Sequence, residues 1–180
     1  MRIAIDTRLL GSLNHSGVEE YTDHIVKELL TQNKYDNFIF FHNGLNIKPL
    51  PSYLTQGDQS KTINWHLPNK ALDLCFNFGL YKHKFDADIF FSPNLSSLRT
   101  SIPHIVTMHD LSFIHYPEFF THIARTWHLT RAKLQAKKAT HIITDSEFTK
   151  NDLVALLKIS PEKISVVCLG IDSQFKKLHP

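Results

Sequence analysis

Four consecutive large apolar residues, Phe38-Ile39-Phe40-Phe41, constrain this chain more than any other feature. Side chains of a strand point alternately to its two faces, so an unbroken apolar run must be buried on both. Similar short runs recur at Ile3–Ile5, Thr62–Leu67, Asp88–Phe91, His104–Met108, His141–Thr144 and Ile164–Leu169. Longer stretches with helical spacing lie between them. In the first, Val18, Tyr21, Ile25, Val26, Leu29 and Leu30 share one side, and Ser16 with Glu19 forms a capping-box signature at its start. Ala71–Tyr81 reads as a helix buried on one side. A long helix is predicted from about Glu118 to Lys138, with Phe120, Ile123, Trp127 and Leu134 on one side. Ser146 can cap a helix running to about Leu157, and Ser160-Pro161-Glu162 is a tight turn. Asn14–Gly17 reads as a loop, and the stretch around Pro49, Pro51 and Gly57 is the least regular.

Alternating strands and helices, with strands apolar on both faces, define a doubly wound α/β fold. The expectation is a mainly parallel, seven-stranded Rossmann-like sheet covered on both sides. A chain of 180 residues suits one domain. Folding at this length buries roughly 70% of the unfolded surface, so no disulfide or metal staple is required. Residues 1–170 are read as that domain. The polar residues 171–180 read as the start of a connection to something further.

The net charge of +3 is too small to argue for nucleic acid. Cys75 and Cys168 belong to no CxxC or zinc pattern, and lone thiols suit a reducing cytoplasm. The start, Met1-Arg2-Ile3-Ala4-Ile5-Asp6, is too quickly interrupted by charge to be a signal peptide, and no stretch approaches the ~20 apolar residues of a membrane span. Surface attachment stays open. Arg125, Arg131, Lys133, Lys137 and Lys138, beside Phe119, Phe120 and Trp127, would suit an anionic membrane or a solvated outer face.

Ligands of open α/β sheets bind beyond the carboxyl ends of the strands, at the point where the strand order reverses. Ser16 and Gly17 follow the first strand, Asn94 the fourth, His109-Asp110 the fifth and Asp145-Ser146 the sixth. Gly17 at a helix start is either an anion site or a tight turn before a capped helix; Glu19 and Glu20 favour the second. His109 could hydrogen-bond a sugar hydroxyl or a developing charge. Asp110 could fix its tautomer or cap the next turn. Ser146 reads first as a cap and second as a ligand contact. The chain has twelve histidines, but neither an HExxH spacing nor a completed ligand set, so no metal is expected. The missing GxGxxG pattern argues against a nicotinamide cofactor, and none of another kind is expected.

Six segments in order then carry a resemblance. They are Ile3–Leu10, Gly17–Thr22, Phe91–Asn94, Val106–Leu111, Thr144–Thr149 and Val166–Asp172. Together they resemble the N-terminal, acceptor-side domain of family 4 glycosyltransferases of the GT-B fold, particularly bacterial mannosyltransferase-like members. The resemblance implies retaining transfer of a hexose from a nucleotide-sugar to a glycan or lipid-linked acceptor, usually without a metal. It implies that Ser16, Gly17 and Val18 approach the donor phosphates and that His109, with Asp110, acts on the transferring sugar. Asn94 and Ser146 would line the cleft. It also implies a cytoplasmic enzyme, peripheral to the membrane in some members, whose donor site lies in a C-terminal domain absent from this chain. Family members often carry Gly-Ile-Gly-Arg-Tyr where this chain has Gly17-Val18-Glu19-Glu20-Tyr21. The competing expectation is a free-standing, non-enzymatic module of the same architecture that recruits a catalytic partner. A small-ligand Rossmann enzyme of another class is supported by fold analogy alone.

Overall fold

The structure, a computed structural model, describes residues 1–11, 16–33, 35–44, 50–55 and 60–171. The apolar runs pair into one seven-stranded sheet, entirely parallel, in the order β3-β2-β1-β4-β5-β6-β7. The strands are β1 (Arg2–Asp6), β2 (Asn37–His42), β3 (Ser60–Asn64), β4 (Ile89–Ser92), β5 (His104–Thr107), β6 (His141–Thr144) and β7 (Ile164–Val166). The chain builds outward from β1 to β3, then returns to place β4 on β1's other edge. That reversal makes β1 and β4 the switch point.

Helix α1 (Gly17–Gln32) covers one face of the sheet; α2 (Asn69–Asn77), α4 (His122–Lys138) and α5 (Glu147–Leu157) cover the other. The short helix α3 (Ser112–His115) links β5 to α4. Strand alternation divides the core accordingly. Ile3, Ile5, Phe38, Phe40 and Phe91 pack with Val26 of α1. Ala4, Ile39, Phe41 and Phe90 pack with Leu72 and Phe76 of α2. Val106 and Ile142 pack with Ala132 of α4 and Leu153 of α5. Each such Val, Leu, Ile or Phe side chain contributes about 1.5–3 kcal/mol on burial.

Several boundaries differ from the sequence expectation, for local reasons. The long helix starts at His122, not Glu118. Residues Pro117–Phe119 form a 3-10 turn and Phe120 is extended, so Thr121 becomes the cap and its hydroxyl accepts from Ala124 N–H at 3.2 Å. Its inward residues are Ala132 and Gln135, while Ile123 and Trp127 face outward. β3 ends at Asn64 because the Asn64 side chain accepts the His66 N–H at 2.8 Å and His66 turns to a positive φ of 52°. α2 occupies Asn69–Asn77, and Gly79, with φ 70°, ends it in the left-handed region that glycine tolerates. β7 stops at Val166. The expected connection at 171–180 lies outside the described residues after Ile171, as do Asn14 and His15 of the first loop and Pro49 and Gly57 of the irregular stretch.

Candidate functional site

Because β1, β4, β5 and β6 are consecutive in the sheet, the loops leaving their carboxyl ends form one rim. Neighbouring strands are ~4.8 Å apart, so the rim spans roughly 15 Å. β5 and β6 pair Ile105 with His141 and Thr107 with Ile143. Extending that register by one pleat sets His109 beside Asp145. Their side chains meet, with Nδ1 2.6 Å from Asp145 Oδ2. The opposite ring nitrogen, Nε2, donates to the Pro93 carbonyl after β4 at 3.0 Å. Both ring nitrogens therefore face oxygen acceptors. The second Asp145 oxygen, Oδ1, is buried and has no partner among the described residues.

Tyr21 brings α1 to the same place. Its ring meets the His109 ring edge-on at 4.7 Å, and its hydroxyl lies 3.3 Å from Thr107 Oγ1. Burial pushes the Tyr21 phenol up; Thr107 opposes this and the Asp145 charge adds to it. Gly17 is one turn before Tyr21, about 6 Å along the helix axis. Its φ is not positive, and a Cβ there would meet nothing within 4 Å among the described residues. Neither backbone conformation nor packing requires glycine at this position.

The capping box forms as the sequence indicates. The Glu19 carboxylate accepts the Ser16 N–H at 3.0 Å and also the Ser16 hydroxyl. Glu19 is buried in doing so, and Glu20 pairs with His24 at 2.9 Å. One donor at the start of α1 is thereby already used. Val18 is half-buried, and its carbonyl accepts from Thr22 Oγ1 at 2.7 Å. Asn94, half-buried, makes no side-chain hydrogen bond among the described residues. Ser146 caps α5, accepting from Thr149 N–H at 3.1 Å, and the Thr149 hydroxyl donates to the His109 carbonyl at 3.2 Å. Of the two roles open to Asp110, the cap is the observed one. Its carboxylate is exposed and accepts from Ser112 N–H at 2.8 Å, and the partner of His109 is Asp145 instead.

A second cluster, absent from the sequence reading, fills the switch point. Asp6 accepts from Arg8 Nη2 at 2.7 Å, Arg8 Nε at 2.9 Å and Ser96 Oγ at 2.9 Å. Asp73 of α2 accepts from Arg8 Nη1 at 3.3 Å, Arg131 Nη2 at 2.7 Å and the Ser97 hydroxyl. Burial would raise the Asp6 pKa, but the Arg8 charge and hydrogen bonds from Arg8 and Ser96 hold it below the usual carboxylate range. Burial would lower Arg8, and Asp6 and Asp73 raise it. Burial lowers Arg131 despite Asp73. Arg131 thus belongs to the interior and not to a solvated basic face. Beneath the cluster, His104 faces Ser92 Oγ at 2.9 Å, and burial brings its pKa down to about 4. The available signal was a carboxylate inside an apolar helical pattern, Leu72-Asp73-Leu74.

A doubly wound parallel sheet with polar loops gathered past the strand ends at its switch point defines a Rossmann-type ligand-binding domain. Residues 15–175 match glycosyltransferase family 4, and the chain belongs to that family. Its fold is similar to part of a wall teichoic acid polymerase, TagF, solved as a single-substitution variant. The TM-score is 0.53 at 10% identity, over 93% of this chain and 37% of that one. A second TagF structure matches with a TM-score of 0.49 at 10% identity, over 92% and 38%. The chain thus spans well under half the length of these proteins. At this identity the likeness concerns the fold: the seven-stranded parallel sheet is that of one half of a GT-B protein. No curated protein matches the sequence.

Proposed function

We propose that this chain is the acceptor-side half of a retaining glycosyltransferase. It moves a hexose, in a mannosyltransferase-like reaction, from a nucleotide-sugar to a glycan or lipid-linked acceptor in the cytoplasm. Family membership supports glycosyl transfer in general. The observation that carries the reading further is the Tyr21–His109 contact, which joins the start of α1 to the end of β5 on one rim. A donor bridging the two would set its phosphates against Ser16, Gly17 and Val18 and its sugar against His109. With Nδ1 held by Asp145, the His109 Nε2–H would leave the Pro93 carbonyl and donate instead to negative charge developing as the sugar leaves phosphate. Asp110 supports that loop by accepting the Ser112 N–H at the start of α3. Asn94, with its amide uncommitted, and Ser146 would line the cleft. The nucleotide would be gripped by a C-terminal domain reached through residues 171–180.

The test is transfer by the two-domain protein, assayed with labelled nucleotide-hexoses. The isolated chain should show little affinity for any of them. His109→Ala in the two-domain protein should lower kcat by a factor on the order of 10² or more, the scale of losing one preorganised donor. An unchanged kcat would remove His109 from the mechanism. One observation favours the non-enzymatic reading: Glu19 already occupies a donor at the start of α1. Failure of the two-domain protein to transfer any hexose, with folding intact, would select that reading.

A further inference from the structure

Beyond His109 the rim continues as a band of aromatic rings. β5 ends at Thr107, the chain passes through His109 and Asp110, and α3 then carries His115 to the side of α5. There the His115 Nε2 lies 2.5 Å from Asp152 Oδ2. Phe148, one turn before Asp152 on α5, stands beside the same ring. Four rings follow one another in a row. Centroids are 6.1 Å apart from Phe148 to His115, 6.2 Å from His115 to Tyr116 and 6.1 Å from Tyr116 to Phe119. α5 ties this row to the rim: Thr149, next to Phe148, donates its hydroxyl to the His109 carbonyl at 3.2 Å, and Ser146 caps the same turn.

Core packing does not explain these rings. Phe148 is 70% exposed, Tyr116 55% and Phe119 80%. Large aromatics held in solvent side by side, rather than scattered singly, mark a contact site. The Tyr116 hydroxyl has no hydrogen-bond partner among the described residues. The charge around the row is mainly negative. Asp110, Glu118 and Glu147 are exposed, and Asp152 lies beside His115. The cations of these segments are Lys150, half-buried, and Arg125, whose Nε donates to the Phe113 carbonyl at 3.2 Å. Carboxylates set among aromatic faces repel phosphates and acidic sugars. They suit an uncharged pyranose, whose C–H face rests on the electron-rich face of an aromatic ring while its hydroxyls donate to carboxylate oxygens.

We infer that the row Phe148–His115–Tyr116–Phe119 is a subsite for the non-reacting sugar rings of an uncharged glycan acceptor. The inference rests on the proposed glycosyl transfer and narrows its acceptor to a chain of sugars. The ring that receives the hexose sits at the His109 rim, and the rings behind it lie along the aromatic row. The Tyr116 hydroxyl and the neighbouring carboxylates are partners for sugar hydroxyls. Four side chains in a row extend past a single sugar ring, so the subsite selects oligosaccharides over monosaccharides.

Titration of the 180-residue protein, followed by NMR, tests it with mannotriose, maltotriose and cellotriose as probes and mannose as the single-ring control. At least one trisaccharide should bind, about tenfold or more tighter than mannose. Phe119→Ala and Phe148→Ala, both at exposed positions, should each weaken that binding about fivefold to tenfold while leaving the circular dichroism spectrum unchanged. Phe78→Ala, at a comparably exposed ring on α2, should have no effect. In the two-domain protein, Phe119→Ala should raise KM for the acceptor glycan by a similar factor and leave KM for the nucleotide-sugar unchanged. No binding of any trisaccharide, equal binding of mannose, or an equal loss with Phe78→Ala overturns the proposal. So does a wild-type dimer that Phe119→Ala converts to a monomer, which would assign the row to a second copy. Trisaccharide binding without any hexose transfer by the two-domain protein would overturn the transfer reading while upholding the glycan contact. Transfer with an unmoved acceptor KM in both the Phe119 and Phe148 variants would overturn the subsite alone.

Discussion

Around Asp6, the side chains of Arg8, Asp73, Arg131, Ser96 and Ser97 are packed among β1, α2, α4 and the loop after β4; around His109, a hydrogen bond with Asp145 is packed between the ends of β5 and β6. Both clusters lie at the carboxyl end of the sheet, where this fold binds ligands. In the first, Asp6 and Asp73 balance Arg8 and Arg131, and their carboxylates and guanidiniums are committed to one another. In the second, Asn94 nearby has no partner among the described residues, Asp145 keeps an unused oxygen, and Gly17 opens onto space. The first cluster is the more fully paired of the two, although the buried Arg131 Nε has no partner among the described residues. The difference assigns the Asp6 cluster to holding the sheet and its helices together, and leaves the His109 rim for recognition.

The contrast breaks most visibly under truncation. Asp73→Ala would leave the buried Arg8 and Arg131 guanidiniums short of an acceptor. Breaking a buried pair in this way costs about 3–5 kcal/mol. For a domain of this size that lowers Tm by roughly 10 °C, measured by calorimetry. His109→Ala, at a pair whose side chains are 19% and 17% exposed and joined by one hydrogen bond, should cost less, about 1–3 kcal/mol. Equal losses would mean that the two clusters do not differ in kind.

The next effect is a pH dependence from His104, beneath the Asp6 cluster. Its folded pKa, about 4, lies below the unfolded value of 6.5 because burial disfavours the charged ring. Above pH 6.5 the ring is neutral in both states. As pH falls from about 6.5 to about 4, the unfolded chain takes up the proton first, and stability is lost. The loss reaches about 3 kcal/mol. Burial also lowers His42, His83 and His128, which add to the same window. A His104→Asn variant isolates one contribution: its denaturant midpoint should fall less between pH 7 and pH 4 than the wild-type midpoint does. Asp6 acts later, because its lowered pKa preserves stability until the pH falls below the ordinary carboxylate range.

The two clusters were unequally legible in the sequence. Strand cores and helix caps are local, and Phe38–Phe41, Ser16 and Ser146 announce them directly. His109 could be placed at a strand end, but its partner could not. Asp110 is adjacent in sequence, yet consecutive residues of an extended segment point apart. Asp145 becomes the neighbour only through the β5–β6 register. The Asp6 cluster was hidden for the same reason in stronger form. Residues 6, 73 and 131 come together through two crossovers, and only tertiary packing makes Asp73 an interior group and Arg131 its counterion. The outward turn of Ile123 and Trp127 was missed because helical spacing identifies a stripe of apolar residues but not whether a neighbour covers it.

The smallest structural effect carries the sharpest functional reading. Gly17→Ala adds a methyl group where nothing described lies within 4 Å, in the first turn of α1. Alanine favours helix, so stability should be unchanged or raised by about 0.5 kcal/mol. A donor phosphate lying against the Gly17 backbone would meet that methyl group directly. In the two-domain protein, KM for the nucleotide-sugar should therefore rise, about tenfold for a contact worth ~1.4 kcal/mol, while the melting temperature stays put. A structural glycine would show the reverse, with lost stability and unaltered KM. If both stay unchanged, the start of α1 is an ordinary capped helix, and the recognition rim narrows to the ends of β4, β5 and β6.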